Sequence, residues 1–244
     1  MALLEIAANS VASALAAQTG GASRVELCAS LEAGGVTPSH GTIVRARAGL
    51  AIPLYVLIRP RAGDFVYDEL ELAVMLDDIA RCRSLGCDGV VVGALTPDGE
   101  VDRAACGRCV EAANGMGMAF HRAFDLAADK AFALEALIDL GFERVLTSGG
   151  APSAVAGAPL LSRLVAQAGE RITVMPGAGI EPGNVAALRT LTRAREFHAS
   201  ATRRLPSAMR RAPADPLGMG AGETHTDVET VRQLVAALAD PAGG

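Results

Sequence analysis

Short, almost unbroken apolar runs alternate with longer segments in which apolar positions recur at helical spacing, and the alternation persists along the whole chain. The runs at 3–8, 24–29, 52–59, 88–93, 118–123, 144–147, 172–175 and 195–199 read as strands, rich in Val, Leu and Ile and too short for helices. Between them, Asn9 or Ser10 is placed to cap a helix running to Gly20, and Ser39 starts another to about Ala48. Further helices are predicted over 68–85, 102–114, 129–140 and 157–168. Another has Pro182 in its first turn, and the last covers 227–238. A polar segment with Pro and Gly, 202–226, reads as irregular.

Near-continuous apolar strands separated by helices imply a parallel sheet covered on its outer side. Eight such units in 244 residues, with no shift of composition between halves, predict one α/β domain over 1–244, a single (β/α)8 TIM-like barrel. A doubly wound sheet is the rival, but the glycine fingerprint it would carry after the first strand is missing.

Composition narrows the function classes. Half the residues are hydrophobic, which supports a sizeable core. A net charge of −5 argues against a nucleic-acid partner, which would need a basic face. No apolar run reaches the length of a membrane span, and the first residues lack the basic segment of a signal peptide. Five cysteines without a secretion signal predict reduced thiols and a cytoplasmic location. Cys106 and Cys109 form a CxxC within a predicted outer helix and read as packing residues; Cys82 and Cys87 read as core.

In a barrel of this kind the chemistry sits where strands end. Glu5, Glu26, Cys28, Arg59, Arg61, Asp64, His121, Arg122, Asp125, Ser148 and His198 fall at or near those ends. Burying one such charge can be structural; burying all of them without a ligand would be costly. In MAFHRAFD, residues 118–125, a strand would set His121 and Arg122 on opposite faces. His121 with Glu26 or Glu5 would exchange protons, with Asp125 in the same group and His198 as a second acid–base group or orienter. Arg59 and Arg61 would hold an anion, seated by the backbone of Ser148, Gly149, Gly177 and Gly179 in the glycine-bearing loops after the sixth and seventh strands.

LLEIAANS, RVELCASLEAGGVTPS, IRPRAGDFVY, FHRAFD, RVLTSGG, VMPGAGI and EFHASA resemble, in order, the strand-end motifs of the CutC family of copper-homeostasis proteins, over residues 1 to about 201. The resemblance implies a TIM-like barrel, a cytoplasmic homo-oligomer, and binding or trafficking of copper. It implies a Cu(I) site using thiols on the first two strands. Cys28 keeps the second position, but Ala7 stands at the first and Ala199 where a cysteine or serine is usual after the last-strand histidine. Cu(I) favours soft ligands, so Cys28 alone is a reduced set. Two functions stay open: a copper-handling protein, and a barrel lyase, isomerase or hydrolase acting on a small anionic or phosphorylated compound.

Overall fold

The computed structural model describes residues 2–210 and 223–239. Eight parallel strands form one sheet: Leu3–Ala8 (β1), Arg24–Leu27 (β2), Leu54–Leu57 (β3), Gly89–Val92 (β4), Gly117–Phe120 (β5), Arg144–Thr147 (β6), Thr173–Pro176 (β7) and Glu196–Ala199 (β8). They are hydrogen-bonded in the order β7-β6-β5-β4-β3-β2-β1-β8. Strands β7 and β8 meet side by side: a Cβ built on Gly177 would lie 3.4 Å from His198 Cβ. The result is the expected (β/α)8 barrel.

The helices are Val11–Gly20 (α1), His40–Gly49 (α2), Glu69–Ser84 (α3), Arg103–Ala113 (α4), Lys130–Asp139 (α5), Ala158–Ala168 (α6), Val185–Thr192 (α7) and Val228–Ala239 (α8). Their starts follow local chemistry. Ser10 accepts from the Ser13 amide, Asp102 and Asp129 cap α4 and α5, and Asp68 with Glu71 forms a capping box on α3. Pro182 lies in a turn, and α7 begins three residues later than its first-turn role predicts. Segment 202–226 is more ordered than expected at its ends, where Thr202–Leu205 (β9) and Glu223–Thr226 (β10) pair antiparallel; residues 211–222 lie outside the described residues.

Period-two alternation divides the strands. Outward residues such as Ile6, Leu27, Val56, Val92, Phe120 and Phe197 are buried against the helices in the main core. The small apolar cluster of Cys28, Tyr55, Leu57, Val91 and Ala119 belongs to the alternate positions, inside the barrel. Cys82, Cys106 and Cys109 pack in the main core, as expected.

The barrel floor is ionic rather than apolar. Arg24, Arg144 and Glu196 each open their strand. Arg24 pairs with Glu5 and, at 2.7 Å, with Glu196; Arg144 Nε lies 3.3 Å from Glu196. Tyr55 crosses this layer with both guanidinium groups against its ring, at 5.2 and 4.9 Å, and its hydroxyl donates to Glu143. The ring fits because Gly89 and Gly117 lack side chains; an added Cβ at Gly89 would lie 2.1 Å from it.

Candidate functional site at the barrel mouth

Above this floor opens a cavity of roughly 470 Å3, bordered by Glu26, Cys28, Arg59, His121, Asp125, Gly179 and His198 among others. Residues from five strands and several βα loops thus share one opening, as the strand-end reading requires. Glu5, Arg61, Ser148, Gly149 and Gly177 are not on its wall.

Glu5 sits deeper, 1 % exposed, and joins floor to cavity. It accepts from Arg24 and, at 2.8 Å, from His198 Nδ1. Burial pushes its carboxyl up, but Arg24 and His198 outweigh this and hold it at about 2. Glu5 is thus a carboxylate bonded on one side to Arg24 and on the other to His198. Burial lowers His198, while its bond to Glu5 and the charge of Glu26 raise it more, above the ordinary histidine value.

Glu26 is the opposite case. It is buried, its Oε2 has no partner, and burial raises its carboxyl to about 7; His198 pulls it down and Glu5 pushes it further up. A carboxyl near neutrality in a cavity wall suits proton transfer.

Strand β5 ends one residue before His121, not after Ala123 as the sequence suggests. His121 instead caps a 3-10 turn, Arg122–Leu126, its Nδ1 accepting the Ala123 amide at 3.1 Å. The turn brings Arg122 round to the same cavity rather than to the opposite strand face. Burial and then the Arg59 charge lower His121 to about 3, which favours the neutral ring. Phe65 packs on its ring at 4.9 Å, and Gly93 leaves the space the ring fills.

Arg59 is 5 % exposed. Its terminal nitrogens donate to the carbonyls of Ala33 and Gly35 (3.1 and 2.8 Å) and of Gly63 (2.8 Å), and its plane lies over Phe65 at 5.0 Å. Its Nε has no partner, and among the described residues no carboxylate pairs with it. Arg61 does not reach the cavity: it is ion-paired with Glu71 and Asp64 near the surface.

The sixth-strand loop does hold an anion, but the anion is the protein's own. Asp125 accepts from the amides of Ser148 and Gly150, both at 3.0 Å, from Thr147 Oγ1 at 2.5 Å, and from Arg122 Nε at 2.8 Å. Gly149 N–H goes to Thr147 Oγ1, and Gly177 N–H to the Thr147 carbonyl. These donors are thus engaged in building the rim, and Asp125 organises it. Gly179, in the left-handed region at φ +70°, borders the cavity.

Arg122 and Ser200 border the cavity and were not assigned a role by sequence; Arg24, Arg144 and Glu196 of the floor were missed altogether. The alternation Arg24, Glu26, Cys28 against Val25 and Leu27 is the signal that sets Arg24 inside.

Glu5, Glu26 and His198 offer atoms within 4.8 Å of one another. This carboxylate and imidazole set is harder than Cu(I) prefers, and Arg24 already supplies positive charge at Glu5. Cys28 is the one thiol on the cavity wall; burial, with Glu26 and Glu32 adding, pushes it to about 12.

The CutC family profile matches residues 2–203. This chain belongs to the CutC family. A CutC family protein of Xanthomonas campestris pv. campestris is 54% identical over 235 residues, covering 96% of this chain and 98% of that protein. A CutC family protein of Xylella fastidiosa is 56% identical over 241 residues, covering 98% and 90%. A crystal structure of CutC from Streptococcus agalactiae, described as a candidate copper homeostasis protein, superposes with TM-score 0.79 at 34% identity, over 82% of this chain and 99% of that one. Phosphoribosylanthranilate isomerase from Pyrococcus furiosus shares the fold alone, at 12% identity and TM-score 0.61 over 98% of each chain. No helix among the described residues is long and apolar enough to cross a membrane.

Proposed function

We propose that this CutC protein contributes to copper homeostasis, the role in which its Streptococcus agalactiae relative is described, and that its molecular act is acid–base chemistry on a small anionic organic compound. The observation that carries the molecular reading is Arg59: a buried cation bordering the cavity without a carboxylate partner among the described residues. Uncompensated buried charge is costly, and an anionic ligand would balance it. The cavity supports an organic ligand over a bare ion, since small-molecule sites run to about 300–1,000 Å3. In this reading Glu26 exchanges the proton and His198, held by Glu5, assists; a lyase, isomerase or hydrolase all fit. The cytoplasm is the proposed location, in keeping with five free buried thiols, and the working unit a homo-oligomer, to be sized by sedimentation.

Calorimetric titration with small carboxylates and phosphate esters, beside native mass spectrometry for a co-purified anion, tests this reading. Binding that is lost in Arg59→Met supports it; a protein that takes up no anion would refute it. Direct copper binding is the second reading, favoured by the thiol of Cys28 beside Glu26 on the cavity wall. Cu(I) affinity unchanged in Cys28→Ala would remove the thiolate from it.

A further inference from the structure

Histidine 121 is bonded on one side only. The Ala123 amide donates to Nδ1, so Nδ1 carries a lone pair and the ring proton of the neutral imidazole resides on Nε2. Nε2 has no partner, on a residue 6 % exposed that borders the cavity. Phe65 on the ring face and Gly93 beside its Cε1–Nδ1 edge fix the orientation. Burial and the neighbouring cation Arg59 both disfavour a second proton on the ring. A buried N–H without an acceptor is costly unless a ligand supplies one.

We propose that His121 is a neutral hydrogen-bond donor, and that the compound bound at this mouth is a small anionic carbonyl compound whose carbonyl oxygen accepts from His121 Nε2–H. This inference rests on the acid–base reading above and names its substrate class. Arg59 balances the anionic group and His121 polarises the C=O bond. Glu26 Oε2, unpartnered on the same wall, takes the proton from the carbon next to the carbonyl. The C–H electron pair becomes the new C=C bond, the carbonyl pair moves onto oxygen, and the enolate oxygen is stabilised by Nε2–H. Glu26 then returns the proton to carbon of the enolate as the electron pair on oxygen re-forms C=O, so no oxidant or co-reactant is required. A neutral imidazole is the better partner here than an imidazolium, because its weak acidity keeps the proton on nitrogen while it polarises the oxygen.

The test pairs pyruvate with propanoate and 2-oxoglutarate with glutarate, acids that differ by the oxo group. One neutral hydrogen bond corresponds to roughly threefold to tenfold in affinity. Each oxo acid is expected to bind more tightly than its partner by about that factor, and His121→Leu to erase the difference while leaving propanoate and glutarate binding in place. His121→Gln, which restores a donor, is expected to recover part of the preference. Imidazole 15N shifts in the wild-type protein, independent of any variant's folding, are expected to show the Nε2-protonated neutral ring from pH 5 to 8. Equal affinity for oxo and non-oxo acids, or an Nδ1-protonated or doubly protonated ring, would overturn the inference while leaving the anion site standing. Failure of all four acids to bind would overturn both.

Discussion

His198 Nδ1 donates to Glu5 Oε1 across 2.8 Å, and the other oxygen of Glu5 accepts from Arg24, so one buried carboxylate ties the cavity to the ionic floor. The pH dependence of stability follows from this pair. Glu5 is lowered from 4.5 to about 2, so its contribution is complete above pH 4.5 and is lost as pH falls towards 2. His198 is raised above 6.5, so its contribution is complete below pH 6.5 and fades as pH climbs through its raised value. Urea unfolding from pH 2 to 9 should show maximal stability between these edges. Glu5→Gln should flatten the acid edge and cost roughly 3 kcal/mol at pH 6, because Arg24 loses a buried partner. An unchanged acid edge would mean that another carboxylate carries it.

Arg59 has a second consequence besides its charge. It holds three carbonyls on the loops after β2 and β3, at Ala33, Gly35 and Gly63. Arg59→Lys keeps a cation but not a planar fork, so it should retain part of the anion affinity while releasing the loops. Hydrogen exchange at 31–36 and 61–65 should rise in both Lys and Met variants. Anion binding should fall at least tenfold only in Arg59→Met. Equal losses in the two variants would assign the whole effect to loop geometry.

Asp125 borders the cavity and also organises its rim. It gathers Ser148 N–H, Gly150 N–H, Thr147 Oγ1 and Arg122 at one carboxylate. Asp125→Ala would leave several buried donors unmet and should cost roughly 2–4 kcal/mol in chemical denaturation. Exchange of the Gly150 amide should accelerate. A variant of wild-type stability would show that water replaces the carboxylate without loss.

The barrel was legible because eight apolar runs recur with helices between them, a signal that depends only on neighbours in sequence. What escaped depends on distant partners. Arg24 meets Glu196 across 172 positions, which no local pattern encodes, and Ser148 reads as a ligand donor until Asp125 is seen to occupy its amide. His121 was placed at the mouth by the sequence, but its part in a turn was not. The run through Ala123 looks like continuous strand, whereas the Ala123 amide turns back to cap on the imidazole. Arg61 failed for the opposite reason: the helix after its loop, α3, supplies Glu71 as its partner. The shared opening itself followed from the parallel topology, since every strand ends on the same side.

Gly93 offers a steric test of how His121 is held. A Cβ there would lie 2.4 Å from Cε1 and 2.5 Å from Nδ1 of the ring, and 3.1 Å from Ala123 Cβ. The first two distances are too short for van der Waals contact, so Gly93→Ala must displace the imidazole and break the bond from the Ala123 amide. The expected cost is about 1–3 kcal/mol, as for other overpacked interiors. Binding of the oxo acids should weaken with it. Gly107, inside α4 with no atom within 4 Å of its added Cβ, is the control. Gly107→Ala should stabilise by about 0.5–1 kcal/mol through helix propensity alone. Thermal melts of the two variants should therefore move in opposite directions. If both rose together, the ring would have room to yield, and Gly93 would not be what fixes His121.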